Sequence, residues 1–255
     1  MQLTGFDGRI ALVTGAGGGI GRATVSALYD AGCTVVATDL PDMLNAAPQQ
    51  HGVHLRPLDV TDAVAVDALV AEVEAELGPV ELFAGTAGIL STQPIAELSA
   101  EEWHRVFDVN MHGSFHVTRA VARGMAARQR GAMVVVSSNA GGIPRLNMSA
   151  YAASKAALTM YVRCLGLELA PRGIRCNVIA PGSTLTPMQT GMWADASGAE
   201  AVIAGSLEGF KTGIPLGKLA TSEDIANSVM FLLSEQAGHI AMADLYVDGG
   251  ATLRG

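Results

Sequence analysis

Short runs of β-branched and apolar residues alternate along the chain with longer stretches whose apolar positions recur at helical spacing. Ile10–Thr14 predicts a strand, Gly19 to Ala31 a helix, and Thr34 to Thr38 a second strand. The series continues with a strand over His54 to Leu58, a helix over Asp62 to Leu77, a strand over Val80 to Phe83, a long helix within Ser99 to Arg128 and a strand over Met133 to Ser137. A helix over Ser149 to Ala170 and a strand over Ile174 to Ala180 complete the alternation. Units of this kind connect through right-handed crossovers, so the pattern predicts an α/β fold: one doubly wound parallel sheet with helices on both faces.

The segment 62–77 shows the local logic. Asp62 can cap the first turn, Val66, Leu69, Val70, Val73 and Leu77 line one side, Glu72, Glu74 and Glu76 fall mostly on the solvent side, and Gly78-Pro79 stops the helix. No linker, repeat or composition break divides the chain, which predicts a single domain over 1–255. The stretch from Pro181 to Ala220 departs from the regular pattern and is rich in glycine and proline, so about 182–220 is expected to form a substrate lid.

Composition narrows the function classes. Hydrophobic residues make up 49% of the 255 positions and charged residues only 16%, which excludes disorder and suits a core covered on two faces. A net charge of -8 leaves no basic field for nucleic acid or for an anionic membrane surface, so neither partner is expected. Cys33, Cys164 and Cys176 are widely spaced and read as buried thiols of a reducing compartment. With no signal-like N-terminus and every long apolar run interrupted, the expectation is a soluble, cytoplasmic protein.

The first chemical signal is Thr14-Gly-Ala-Gly-Gly-Gly-Ile-Gly21, placed after a strand and opening a helix. Glycines at 15, 19 and 21 let the backbone turn tightly and approach a pyrophosphate, whose charge the helix N-terminus stabilises; a tight loop without ligand is the alternative. Asp39, eighteen residues beyond Gly21, can accept from the adenosine ribose hydroxyls and would repel a 2′-phosphate, which favours NAD over NADP. Asp59-Val60 can hold the adenine edge or simply serve as a helix-capping turn.

The second signal is Tyr151-Ala-Ala-Ser-Lys155, in which i and i+4 share one helix face. An ammonium there can favour the ionised phenol and lower its pKa, giving a base. Ser138, thirteen residues upstream at a strand end, can hydrogen-bond a substrate oxygen, and Asn110 can add a polar anchor. His112 and His116 are also i and i+4 but lack a glutamate and a third ligand, so no metal site is expected. Arg119, Arg123, Arg128 and Arg130 read as a solvated stripe, and Met125, Met133, Met148 and Met160 as core fillers.

Through Gly15, Gly19, Gly21, Asp59, Asn110, Ser138, Tyr151, Lys155 and Pro181-Gly182, the chain resembles the short-chain dehydrogenase/reductase family over essentially its whole length. The resemblance implies a Rossmann-type fold and a tetrad: Tyr151 as acid/base, Lys155 lowering its pKa and binding the nicotinamide ribose, Ser138 orienting the reacting oxygen, and Asn110 positioning a relay water. It implies cofactor contacts from Gly15, Gly19, Ile20, Gly21, Asp39, Asp59, Val60, Ala87, Gly88, Tyr151, Lys155, Pro181, Gly182 and Thr184, and suggests a homotetramer. Helices 99–128 and 149–170, apolar on more than one face, agree with burial against partner subunits. One departure is Gly85-Thr86-Ala87-Gly88, where the family usually has Asn-Asn-Ala-Gly, which puts the side-chain bracing of that strand in doubt.

The second half is narrower in its resemblance. Pro144-Arg145, Met148 to Tyr151, Met188-Gln189, Phe210-Lys211 and Gly213 to Lys218 are similar to a branch of the family that oxidises a ring hydroxyl of a dihydroaromatic acid, after which the ring aromatises. Arg145 is the candidate contact for the carboxylate of such a cyclic acid, or else braces its own loop or a subunit contact; Ser138, Met148, Met188 and Gln189 complete the candidate substrate site. The same chemistry on an amine-bearing analogue, reduction of 3-oxoacyl chains on a carrier protein, and an NAD-binding regulator are the competing readings.

Overall fold

The computed structural model describes residues 2–45, 47, 49 and 51–253. Its centre is a seven-stranded, all-parallel sheet in the order β3-β2-β1-β4-β5-β6-β7, made of β1 (Ile10–Thr14), β2 (Thr34–Asp39), β3 (Val53–Pro57), β4 (Val80–Gly85), β5 (Gly131–Val136), β6 (Ile174–Pro181) and β7 (Asp244–Val247). The order reverses between β1 and β4, which opens a crevice at the C-terminal ends of those strands.

Strand side chains alternate between two cores, as the pleat dictates. Ala11, Val13, Val35, Ala37, Leu82 and Ala84 face one cluster, which includes Val25 and Leu28 of α1 (Gly19–Asp30) and Ile225 and Val229 of α9 (Ser222–Leu233). Ile10, Leu12, Val36 and Phe83 face the other, shared with α3 (Ala63–Glu76), α5 (Ser114–Arg128) and α6 (Ser149–Leu169). Burial on both faces explains why the strands read as continuous apolar runs. Asp62 caps α3 as expected, accepting from Val64 N at 2.9 Å and Ala65 N at 3.0 Å.

Several expectations need correction. The alternation does not stop at Ala180 but continues with α9 and β7. Signals for α9 are present in the sequence, a Thr221/Asp224 capping box followed by Ile225, Val229, Leu232 and Leu233 at helical spacing. Four-residue β7, half-buried throughout, carries too short a period to declare itself. The predicted long helix is α4 (Ala100–Phe107), a π-turn over Asp108–Gly113, and α5. Within 182–220 lie two short helices, α7 (Pro187–Thr190) and α8 (Gly198–Ala204), and another, α2 (Pro41–Leu44), follows β2.

Cys164 and Met160 are exposed rather than buried, because they fall on the face of α6 turned away from the sheet, whereas Cys33, Cys176, Met125 and Met133 are in the cores. The arginine stripe is not simply solvated. Arg119 and Arg123 pair with Asp67, Arg128 with Glu74, and Arg130 with Glu81, so most of it stitches α5 to α3. No helix among the described residues is long and apolar enough to cross a membrane.

Candidate active site

The crevice deepens into a cleft of about 390 Å³. Its walls bring together Ile20, Gly88, Ser138, Arg145, Met148, Tyr151, Lys155, Pro181, Gly182, Thr184, Met188 and Gln189, twelve of the residues singled out from sequence. Gly15, Gly19, Gly21, Asp39, Asp59, Val60, Ala87 and Asn110 are not part of those walls; Gly15 and Ala87 meet at the neighbouring turn and Asn110 backs the wall from behind.

At the glycine turn, Gly15 has φ +70, and a Cβ there would lie 2.6 Å from Ala87 N, so only glycine lets the β1 and β4 loops close on each other. Helix α1 begins just beyond, and Gly18 provides no side-chain cap and the first turn no acid. Its leading N–H groups and the positive end of its dipole therefore remain available to an anion, which fits the pyrophosphate of a dinucleotide. Asp39 ends β2 beside this turn: its Oδ2 accepts from Gly17 N at 2.9 Å and its Oδ1 from Leu40 N at 2.8 Å, fixing the carboxylate against the turn.

Asp59 follows β3, and its Oδ1 accepts from Thr61 N at 2.9 Å and Thr61 Oγ1 at 2.7 Å, the turn-forming alternative for this residue. The Val60 carbonyl faces His116 Nδ1 at 3.1 Å, while His112 Nδ1 faces Asp108 at 2.9 Å, so the two histidines serve separate contacts. The Gly85-Thr86 departure proves well braced: Thr86 Oγ1 donates to Thr14 O at 2.6 Å, and Thr86 N donates to the same carbonyl at 3.1 Å. A threonine hydroxyl thus ties β4 to β1.

Asn110 sits inside the π-turn, completely buried. The wider turn rotates this side chain inward, where Oδ1 accepts from Ile89 N at 2.8 Å and Nδ2 donates to Ile89 O and to Ser154 Oγ, each at 3.0 Å. It holds the loop after β4 against α6. Ser138, just past β5, accepts from Ala140 N at 3.1 Å and lines the cleft together with Tyr151.

Lys155 is 3% exposed, and its Nζ donates to Val136 O at 3.0 Å. Burial pushes its pKa down to about 8. Tyr151 behaves differently from the sequence expectation: burial holds its phenol above the usual value, and only the Ser138 hydrogen bond works in the opposite direction. The i, i+4 spacing does place both side chains on the cleft, but covering the phenol with protein outweighs the Ser138 hydrogen bond.

Sequence reasoning left out Lys211, Met192, Leu90 and Ile214 as site residues, all of which line the cleft. A signal for Lys211 exists, since the chain has only three lysines, at 155, 211 and 218, and two of them face the cleft.

A sequence model described as enoyl-(acyl carrier protein) reductase matches residues 15–252. The 2,3-dihydro-2,3-dihydroxybenzoate dehydrogenase of Bacillus subtilis is 49% identical, with 99% of each chain covered. The chain belongs to the short-chain dehydrogenase/reductase family. Another member, the vibriobactin-specific 2,3-dihydro-2,3-dihydroxybenzoate dehydrogenase of Vibrio cholerae, is 43% identical over 95% of each chain. The crystal structure of gox2181 matches with a TM-score of 0.90 at 32% identity, covering 97% of each chain. As a dehydrogenase of this family, the chain is an oxidoreductase that works with a nicotinamide cofactor on a small molecule.

Proposed function

We propose that this chain oxidises a ring hydroxyl of 2,3-dihydro-2,3-dihydroxybenzoate with NAD, giving 2,3-dihydroxybenzoate for siderophore or related secondary-metabolite biosynthesis. The observation that carries the reading is the cleft itself, lined together by Ser138, Tyr151, Lys155 and the cation Arg145, in a chain 49% identical to a dehydrogenase of that name. A bound nicotinamide dinucleotide supplies the hydride acceptor. The turn residues Gly15, Gly19, Ile20 and Gly21 would hold its pyrophosphate, Asp39 its adenosine ribose, Asp59 and Val60 its adenine, and Ala87, Gly88, Lys155, Pro181, Gly182 and Thr184 its nicotinamide half.

Tyr151, as phenolate, accepts the proton of the reacting hydroxyl, while Ser138 donates to that oxygen and fixes its position. Lys155, as ammonium, stabilises the phenolate once it forms. Asn110 keeps the wall rigid and stands ready to order a relay water. The oxidised ring tautomerises to an aromatic product, which draws the reaction forward. Met148, Met188 and Gln189 pack the ring from the loop and from the lid, taken as 182–220. Exposed Met160 and Leu167 on α6 support assembly into a homotetramer, and the reaction belongs in the cytoplasm.

Cofactor choice tests the nucleotide half of this reading. A fixed carboxylate at Asp39 repels a 2′-phosphate by several kcal/mol. Turnover with NAD should therefore exceed that with NADP by about 100-fold in kcat/KM, and Asp39→Asn, which preserves the shape, should erase most of the preference. Equal use of both cofactors by the unaltered protein contradicts the assignment.

A further inference from the structure

The cleft holds two cations that the tetrad does not use. Arg145, in the loop beyond β5, and Lys211, in the segment 182–220, both line it and are close enough to interact electrostatically. Most arginines of this chain are neutralised on the surface, as in the Arg56, Arg105, Arg128 and Arg163 pairs. Neither Arg145 nor Lys211 has a carboxylate within 4.0 Å among the described residues.

The compensating charge felt by Arg145 is that of Asp248. That carboxylate is already engaged: Oδ1 accepts from Gly250 N at 3.0 Å, and Oδ2 from Thr252 N at 3.1 Å and Asn139 Nδ2 at 3.4 Å. Around Arg145 and Lys211, two cations against one committed anion leave about one positive charge unbalanced, in a chain whose net charge is -8. Like charges so placed repel each other, and a monoanion between them removes that cost.

Local structure gives Lys211 a fixed arm. Ser206 and Lys211 pair across a tight hairpin, each N–H donating to the other's carbonyl at 2.9 Å, with Gly209 N donating to Ser206 Oγ at 2.9 Å. The hairpin is rooted on α8 by Ile214 N donating to Ile203 O at 2.9 Å, and at the C-terminal turn by Thr212 Oγ1 donating to Ala251 O at 3.1 Å.

We propose that Lys211, carried by the lid hairpin, and Arg145, carried by the body of the domain, form a two-armed clip for a single carboxylate, making Lys211 a specificity-determining residue for acid over neutral substrates. The clip rests on the dihydroaromatic acid reading above and adds to it the second arm. An arginine can take the carboxylate in a bidentate fork, whereas the lysine supplies a point charge from the opposite side.

The test measures binding of 2,3-dihydroxybenzoate and of its carboxamide to the NAD-loaded protein by calorimetry, so it does not depend on turnover. The unaltered protein should bind the acid about 10–100-fold more tightly than the amide. Lys211→Ala should collapse that ratio towards one while leaving amide binding and the Kd for NAD unchanged, and Lys211→Arg should restore most of it. Arg145→Ala should do the same, and the double variant should lose less than the sum of the two, because both arms grip one group. An acid-to-amide ratio that is flat in the unaltered protein, or unmoved by Lys211→Ala, overturns the clip. Loss of the ratio in Lys211→Ala together with no oxidation of the dihydrodiol acid would instead uphold the clip and overturn the substrate reading.

Discussion

Tyr151→Phe should lower kcat for oxidation by about 10²–10⁴-fold while NAD binding stays close to normal. The phenyl ring preserves the packing, so what disappears is the oxygen that takes the proton. Because burial holds the phenol above its usual pKa, the basic form is the minor one at neutral pH, and the rate should climb as pH rises from neutral and level off as Lys155 loses its proton near pH 8. That climb should vanish in Tyr151→Phe. Stopped-flow pH profiles of the two proteins make the comparison, and a variant that kept both its rate and its pH dependence would remove Tyr151 from the chemistry.

Lys155→Met should abolish useful turnover and yet make the fold more stable. Lys155 has its pKa depressed from 10.5 to about 8 by burial, so the folded state resists holding the ammonium. A folded pKa below the unfolded one means that the cost is fully present below about pH 8, shrinks between about pH 8 and 10.5, and is gone above. At about 1.4 kcal/mol per pKa unit the cost is about 3 kcal/mol at pH 7. The lost hydrogen bond to Val136 O returns about 1 kcal/mol, leaving a net gain of about 2 kcal/mol and a rise in Tm of about 5 °C. The gain should fade as the buffer is taken towards pH 10.5. Thermal melts at pH 7 and pH 10 check both size and direction, and a destabilised variant at pH 7 would mean that Lys155 is held charged by a partner. A residue retained against stability in this way is expected where a charge serves a reaction.

Much of this architecture is legible in the sequence because its signals are local. Strands buried on two faces announce themselves as Leu/Val runs, and the ends of β1 to β6 lie within a few residues of where the pattern puts them. The glycine turn, Asp39 and the Tyr151/Lys155 pair are likewise short-range arrangements, fixed by one turn or one helix. What the sequence does not display is convergence. Arg145 and Lys211 are sixty-six residues apart, and nothing in either segment says that the hairpin folds back over the loop beyond β5. Burial is hidden for the same reason: spacing puts Lys155 near Tyr151, but the direction of the Tyr151 pKa follows from how much protein covers the pair. The π-turn at 108–113 falls inside an otherwise continuous helical pattern, and only the inward rotation of Asn110 reveals its use.

One assay addresses substrate identity directly. Purified protein is given NAD and either 2,3-dihydro-2,3-dihydroxybenzoate or trans-2,3-dihydro-3-hydroxyanthranilate, with NADH followed by absorbance and the aromatic product by fluorescence. Turnover of the dihydroxy acid is expected, with one NADH formed per molecule of 2,3-dihydroxybenzoate. Silence with the dihydroxy acid, or turnover confined to the amine-bearing analogue, would contradict the proposed function.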